Sequence, residues 1–153
     1  MAAIEHGSSI TTVGQSHTGD TNWTTKVTVA ATNFVAGGQY LILCGAQVGG
    51  DNSNALFGFR LARGVTPVVF TGSQMEIEPQ SATVTRRYPY GYMTVFTMPN
   101  PTEDIVFQIR PLAAARTARA DTIVIIWVRL DVDLIENSDW VFNENTILTQ
   151  HTT

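Results

Sequence analysis

One cysteine and one lysine stand in a chain of 153 residues, and only 14% of its residues are charged. A single cysteine, Cys44, excludes an internal disulfide, and its place in the apolar run YLILCGAQV makes it a small core residue rather than a nucleophile. Lys26 alone against eight arginines leaves positive charge on planar, bidentate groups, which serve interface cores better than lysine does; bias in genome composition accounts for the same imbalance. A formal net charge of −4 gives no general attraction to nucleic acid or to an anionic membrane, so neither is expected as a partner. No apolar run approaches the roughly 20 residues of a bilayer span. The start MAAIEHGSS lacks a charged region followed by an apolar one, so no secretory address is expected.

Catalytic signatures are missing as well. There is no G-x-S-x-G, no H-E-x-x-H, no phosphate loop and no dinucleotide fingerprint, so neither an enzyme nor a cofactor is expected. His6, His17 and His151 fall in the terminal segments among small polar residues, and no metal site is expected from them. Asp51-Asn52-Ser53-Asn54 offers oxygen ligands without the spacing or the bidentate glutamate of an EF-hand, and it reads as a turn. Asp131 and Asp133 share a strand face with neither pocket nor nucleophile beside them, as a solvated strand end would.

What is present is alternation. Thr, Val, Ile and aromatic residues recur with period two between Gly, Asn, Asp and Pro punctuation, the pattern of short antiparallel strands. The expected strands are 23–31, 39–48, 57–62, 68–71, 74–78, 91–96, 103–110 and 121–133. Pro89 is expected to delay the sixth of these to about Gly91, and residues 112–116 could form a single helical turn. About eight strands in one body suggest an all-β fold, an antiparallel β-sandwich of jelly-roll type. Its expected extent is 22–134, with an N-terminal arm at 1–21 and a C-terminal tail at 135–153. A domain of this length can bury roughly 70% of its unfolded surface.

Two strands are apolar on both faces. In 121–133, Val124, Ile126, Val128, Leu130 and Val132 oppose Ile123, Ile125 and Trp127, which give way to Arg129, Asp131 and Asp133. In 39–48, Tyr40, Ile42, Cys44, Ala46 and Val48 oppose Leu41 and Leu43. An isolated sandwich leaves one face of each sheet to water, so the double pattern asks for a second cover, which another chain would supply. Ile123, Ile125 and Trp127 are the strand's interface candidates. Arg86, Arg87, Tyr88, Tyr90 and Tyr92 form an Arg/Tyr cluster suited either to protein contact, to a sugar platform, or to plain loop packing. Arg116 and Arg119 join them because residues 60–119 hold seven arginines against four acids, whereas 131–144 holds five acids and no base. Trp140 and Phe142 in the tail are further candidates, since exposed aromatic area is unfavourable.

The arrangement MAAIEHGSSITTVGQSHTGDTNWTTKVTVA, then GGQYLILCGAQVGGDNSNALFGFRL, then TARADTIVIIWVRLDVDL, resembles small β-sandwich structural proteins encoded among the head and tail genes of tailed bacteriophages. The resemblance implies a virion component with no catalytic residues. The expected role is a capsid decoration (cement) protein at the capsid surface, a homotrimer that binds and stabilises the shell through the major capsid protein or other virion proteins. A tail or fibre adaptor and a carbohydrate-binding module are the alternatives. A clamp needs an unbroken rigid sandwich with adherent ends, which favours decoration over a receptor tip.

Overall fold

Residues 39–50 alternate Tyr40, Ile42, Cys44, Ala46 and Val48 inward with Leu41, Leu43 and Gly45 outward, and they form the longest strand but one of a two-sheet antiparallel sandwich. The computed structural model describes residues 6–79 and 87–131, together with strands at 140–143 and 146–150. In chain order the strands are β1 (His6–Thr11), β2 (Gln15–Thr18), β3 (Thr24–Val29), β4 (Gln39–Gly50), β5 (Phe57–Arg63), β6 (Val68–Val69), β7 (Met75–Ile77), β8 (Tyr88–Thr97), β9 (Ile105–Pro111), β10 (Thr117–Arg129), β11 (Trp140–Asn143) and β12 (Thr146–Gln150). One sheet has the order β1-β10-β4-β8 with β2 also on β10; the other has β3-β9-β5-β6 with β7 also on β5; β11 and β12 pair with each other. Residues 6–18 of the arm segment therefore dock on the chain's own sheet as edge strands.

The inner faces close on a core in which Tyr40, Ile42, Phe57, Phe59, Leu61 and Phe107 are fully buried. Phe107, on central strand β9, meets the Tyr90 ring edge-on at 5.2 Å between centroids, and Phe34 meets Tyr40 at 5.1 Å in the same way. Cys44 is 4% exposed, and burial pushes its thiol up to about 12, which fits the core role read from its neighbours. The loop after β4 is a turn: the Asn52 side-chain oxygen accepts from the Asn54 N–H at 2.7 Å. At Gly50 the two sheets come so close that a Cβ would stand 2.2 Å from the Phe57 ring.

Two bulges redirect side chains. On β10, Asp121 pairs with Gln47 and Val124 with Gly45, so one extra residue is inserted, and Thr122 adopts φ 48 there. Ala118 and Ala120 face inward before the bulge, and Ile123, Ile125 and Trp127 face inward after it. This corrects the assignment of Ile123, Ile125 and Trp127 to an interface: the first two are 0% exposed and Trp127 7%, all inside the chain's own core. On β3 a register shift between Thr25 and Val27 keeps Val27 and Val29 inside and turns Trp23 and Thr25 to the outer face, although all four share one parity in the sequence.

Two local expectations also change. Strand β8 starts at Tyr88 rather than near Gly91, because it pairs with β4 alone and Pro89 can sit on an edge strand without a missing ladder bond. Residues 112–116 form a loop and no helical turn, with the Leu112 N–H donating to the Leu56 carbonyl at 2.9 Å and Ala115 at φ 62.

Candidate functional site

With Ile123, Ile125 and Trp127 spent on the core, the other row of β10 is left facing outward, and the register lines it up with three more strands. Ile10, Val124, Gly45 and Gly91 form one cross-strand row; Ser8, Ile126, Leu43 and Met93 the next; His6, Val128, Leu41 and Val95 the third. Leu130 follows at the strand end. Only His6, at the edge, carries a titratable group in these rows. The exposures are 60% for Ile10, 66% for Met93, 50% for Val95, 39% for Ile126 and 41% for Leu130.

Those five side chains alone leave on the order of 500 Å² of apolar surface in water, near the upper end of the patch sizes that monomers present. One partner of a standard protein interface buries about 800 Å². Gly45 and Gly91 lie side by side in register, and a Cβ at either would meet nothing within 4 Å. They floor an open depression of about 510 Å³ rimmed by Leu43, Met93, Val124 and Ile126. A knob from a partner would have room there, and the exposed Met93 side chain stands at its rim.

Arginine borders the apolar block at the bulged end. Arg87 pairs with Asp121, and Arg119 lies opposite Gly49 with its Nε buried and without a hydrogen-bond partner. An apolar centre with a polar border is the anatomy of a contact surface. Arg116 is exposed in the loop between β9 and β10. Arg86 lies outside the described residues, and so do the side chains of Trp140 and Phe142.

The tyrosines of the Arg/Tyr cluster are corrected. Tyr88, Tyr90 and Tyr92 alternate on the inward row of β8 and pack against the core, because Pro89, Gly91 and Met93 take the outward row. The Tyr90 hydroxyl donates to the Ser73 carbonyl at 2.7 Å and the Tyr92 hydroxyl to the Thr71 carbonyl at 2.9 Å. Both tie the 70–73 loop down, so the three rings do not form a sugar platform. Burial comes first among the causes that raise the Tyr90 phenol above its ordinary range. Tyr90→Phe should leave the Ser73 oxygen without its donor at a cost of about 1–2 kcal/mol. Thermal unfolding followed by circular dichroism is expected to shift down by roughly 2–8 °C; an unchanged Tm would show that the hydroxyl does no structural work.

Sequence reasoning singled out the double-sided character of β4 and β10 but missed Met93 and Val95. Their signal was available in GYMTVFT, where Tyr92 and Phe96 alternate with Met93 and Val95 as another two-sided apolar strand. Among the described residues no three His, Cys, Asp or Glu side chains gather as a metal site would require, and no helix is long and apolar enough to cross a membrane. No family model and no curated protein matches the chain.

Proposed function

We propose that the protein is a non-enzymatic structural component of a tailed-phage virion: a capsid decoration protein whose copies associate as a trimer and brace the shell. The observation that carries the reading is the outer face of the first sheet, apolar across four strands and rigid because the opposite side of the same strands is the core. A monomer gains nothing from displaying such a face. Buried between copies it contributes roughly 25 cal/mol for each Å² removed from water, enough to offset the loss of translational freedom that association entails. The resemblance to phage head and tail proteins supplies the setting, and the sandwich supplies a body that transmits load without hinging.

Sedimentation with empty shells of the phage that encodes the chain tests the role. Pelleting in a fixed ratio to the major capsid protein is expected; protein left wholly in the supernatant would contradict decoration. Immunogold labelling of intact virions on the tail alone would transfer the protein to the adaptor class.

A further inference from the structure

The second sheet carries a different feature on its outer face. Trp23, turned outward by the β3 bulge, lies against Gly58, where a Cβ would meet the indole at 2.9 Å. Two guanidinium groups sit on that ring, Arg60 at 4.1 Å and Arg110 at 4.4 Å from its centroid. Arg60 donates to Gln108 at 2.8 Å, and Gln108 in turn donates to Thr25 at 3.1 Å, so the head group is held in place by a neutral chain of hydrogen bonds. Among the described residues Arg63 pairs with Glu103 and Arg110 with Glu76 at 3.3 Å, while Arg60 has no carboxylate. The Nε of Arg110 is buried without a hydrogen-bond partner. Burial and then the charge of Arg110 pull the Arg60 guanidinium below its ordinary value, the direction expected of two cations held together with too little negative charge.

The geometry points to Trp23, Arg60 and Arg110 as a carboxylate-recognition site, occupied in the assembly by the acidic C-terminal segment of a neighbouring copy. The chain carries its own counterpart: from Asp133 to Glu144 there are four acids and no base. Guanidinium groups preset on a ring, that of Arg60 by a neutral hydrogen bond and that of Arg110 beside Glu76, are suited to planar bidentate pairing with carboxylates.

Distance selects a neighbour over the same chain. Asp131 leaves the fold at the end of the sandwich where the Leu130 N–H donates to the Gln39 carbonyl. The Trp23 site is at the opposite end, since Gly58 follows Phe57, which touches Gly50, and Gly50 pairs with Ala118 at the start of β10. Along β10 that separation is on the order of 35 Å, with the sandwich thickness of about 10 Å to be crossed as well. Eight residues from Asp131 to Asp139 span at most about 28 Å when fully extended. The first three acids of the segment therefore fall short of their own site, whereas a copy placed head to tail can present them all. A contact between two different surfaces closes into a ring when its rotation allows, as a trimer requires.

This inference rests on the proposal that copies associate, and the two can fail separately. The test is the fluorescence anisotropy of a labelled synthetic peptide of residues 132–144, titrated with full-length Ile126→Asp protein, in which neighbours should no longer fill the site. Saturable binding is expected, weakened roughly tenfold or more in an added Arg60→Gln/Arg110→Gln pair, by high salt, and when the four acids of the peptide are replaced by their amides. Circular dichroism confirms that each variant is folded. Absence of binding, or equal binding by the arginine variant, would reduce the cluster to a structural staple; equally tight binding of an unrelated peptide of the same charge would overturn its assignment to the tail. Peptide binding by a wild-type protein that is monomeric at every concentration would sink the association reading and leave this site standing.

Discussion

Trp127→Asp is expected to leave no folded protein. The Trp127 ring is 7% exposed, lies 5.9 Å from the Phe34 ring between centroids, and presses on Gly7 of β1, where a Cβ would stand 2.3 Å from the indole. Removing a buried aromatic of this size costs about 3–5 kcal/mol through lost transfer energy and the cavity left behind. The carboxylate adds several kcal/mol more through the loss of its hydration among the apolar side chains of the inner face. Domains of this kind are stable by about 5–15 kcal/mol in all, so the sum takes most or all of it. Soluble yield and the far-ultraviolet circular dichroism spectrum check the outcome; a soluble, folded variant would contradict the burial of Trp127.

Phe107→Ala is expected to fold but to lose about 3–5 kcal/mol. Phe107 is fully buried on β9, paired with Leu61 of β5 on one side and with Val27 of β3 on the other, and its ring stacks edge-on against Tyr90 from the opposing sheet. It joins three strands of one sheet to a strand of the other. The cavity has little chance to collapse, because its walls are strands held in register by their ladders. Urea unfolding should move to a lower midpoint with little change in slope, and the Tm should fall by roughly 6–20 °C. A loss under about 1 kcal/mol would mean that the two sheets are not clamped at this position.

The alternation that dominates the chain carries the architecture. Tyr40, Ile42, Cys44, Ala46 and Val48 all turn to the core, as do Phe57, Phe59 and Leu61 and Ile105, Phe107 and Ile109, since a period of two keeps each row on a single face. The choice of face on β10 was not legible. Both rows of 123–128 are apolar, so hydrophobicity does not rank them, and the bulge at Asp121 and Thr122 that decides the matter has no glycine to announce it. Arg129 and Asp131 misled further: they lie on the core side of the strand but past the end of the core, where they pair with each other at 2.7 Å. The same kind of bulge hid Trp23, which shares its parity with Val27 in sequence and its face with Arg60 in space. Tyr88, Tyr90 and Tyr92 could be read as surface or as packing until the outward row of β8 was seen to be Pro89, Gly91 and Met93. What survives of the two-sided pattern is its main point, that β4 and β10 have apolar residues beyond the needs of one core, although the residues in excess are Leu41, Leu43, Val124 and Ile126.

Static light scattering over a dilution series, run on the wild-type chain and on Ile126→Asp, puts the outer face of the first sheet to the most direct test. The variant adds one charge at the centre of the apolar rows, beside Leu43 and one strand from Met93, and leaves the core untouched. The wild-type protein is expected at about three times the 16.7 kDa of the chain, falling only at high dilution, and Ile126→Asp at the mass of one chain with a Tm close to that of undissociated protein. A wild-type mass of one chain at every concentration, or an Ile126→Asp mass equal to that of the wild type, would contradict association through this face.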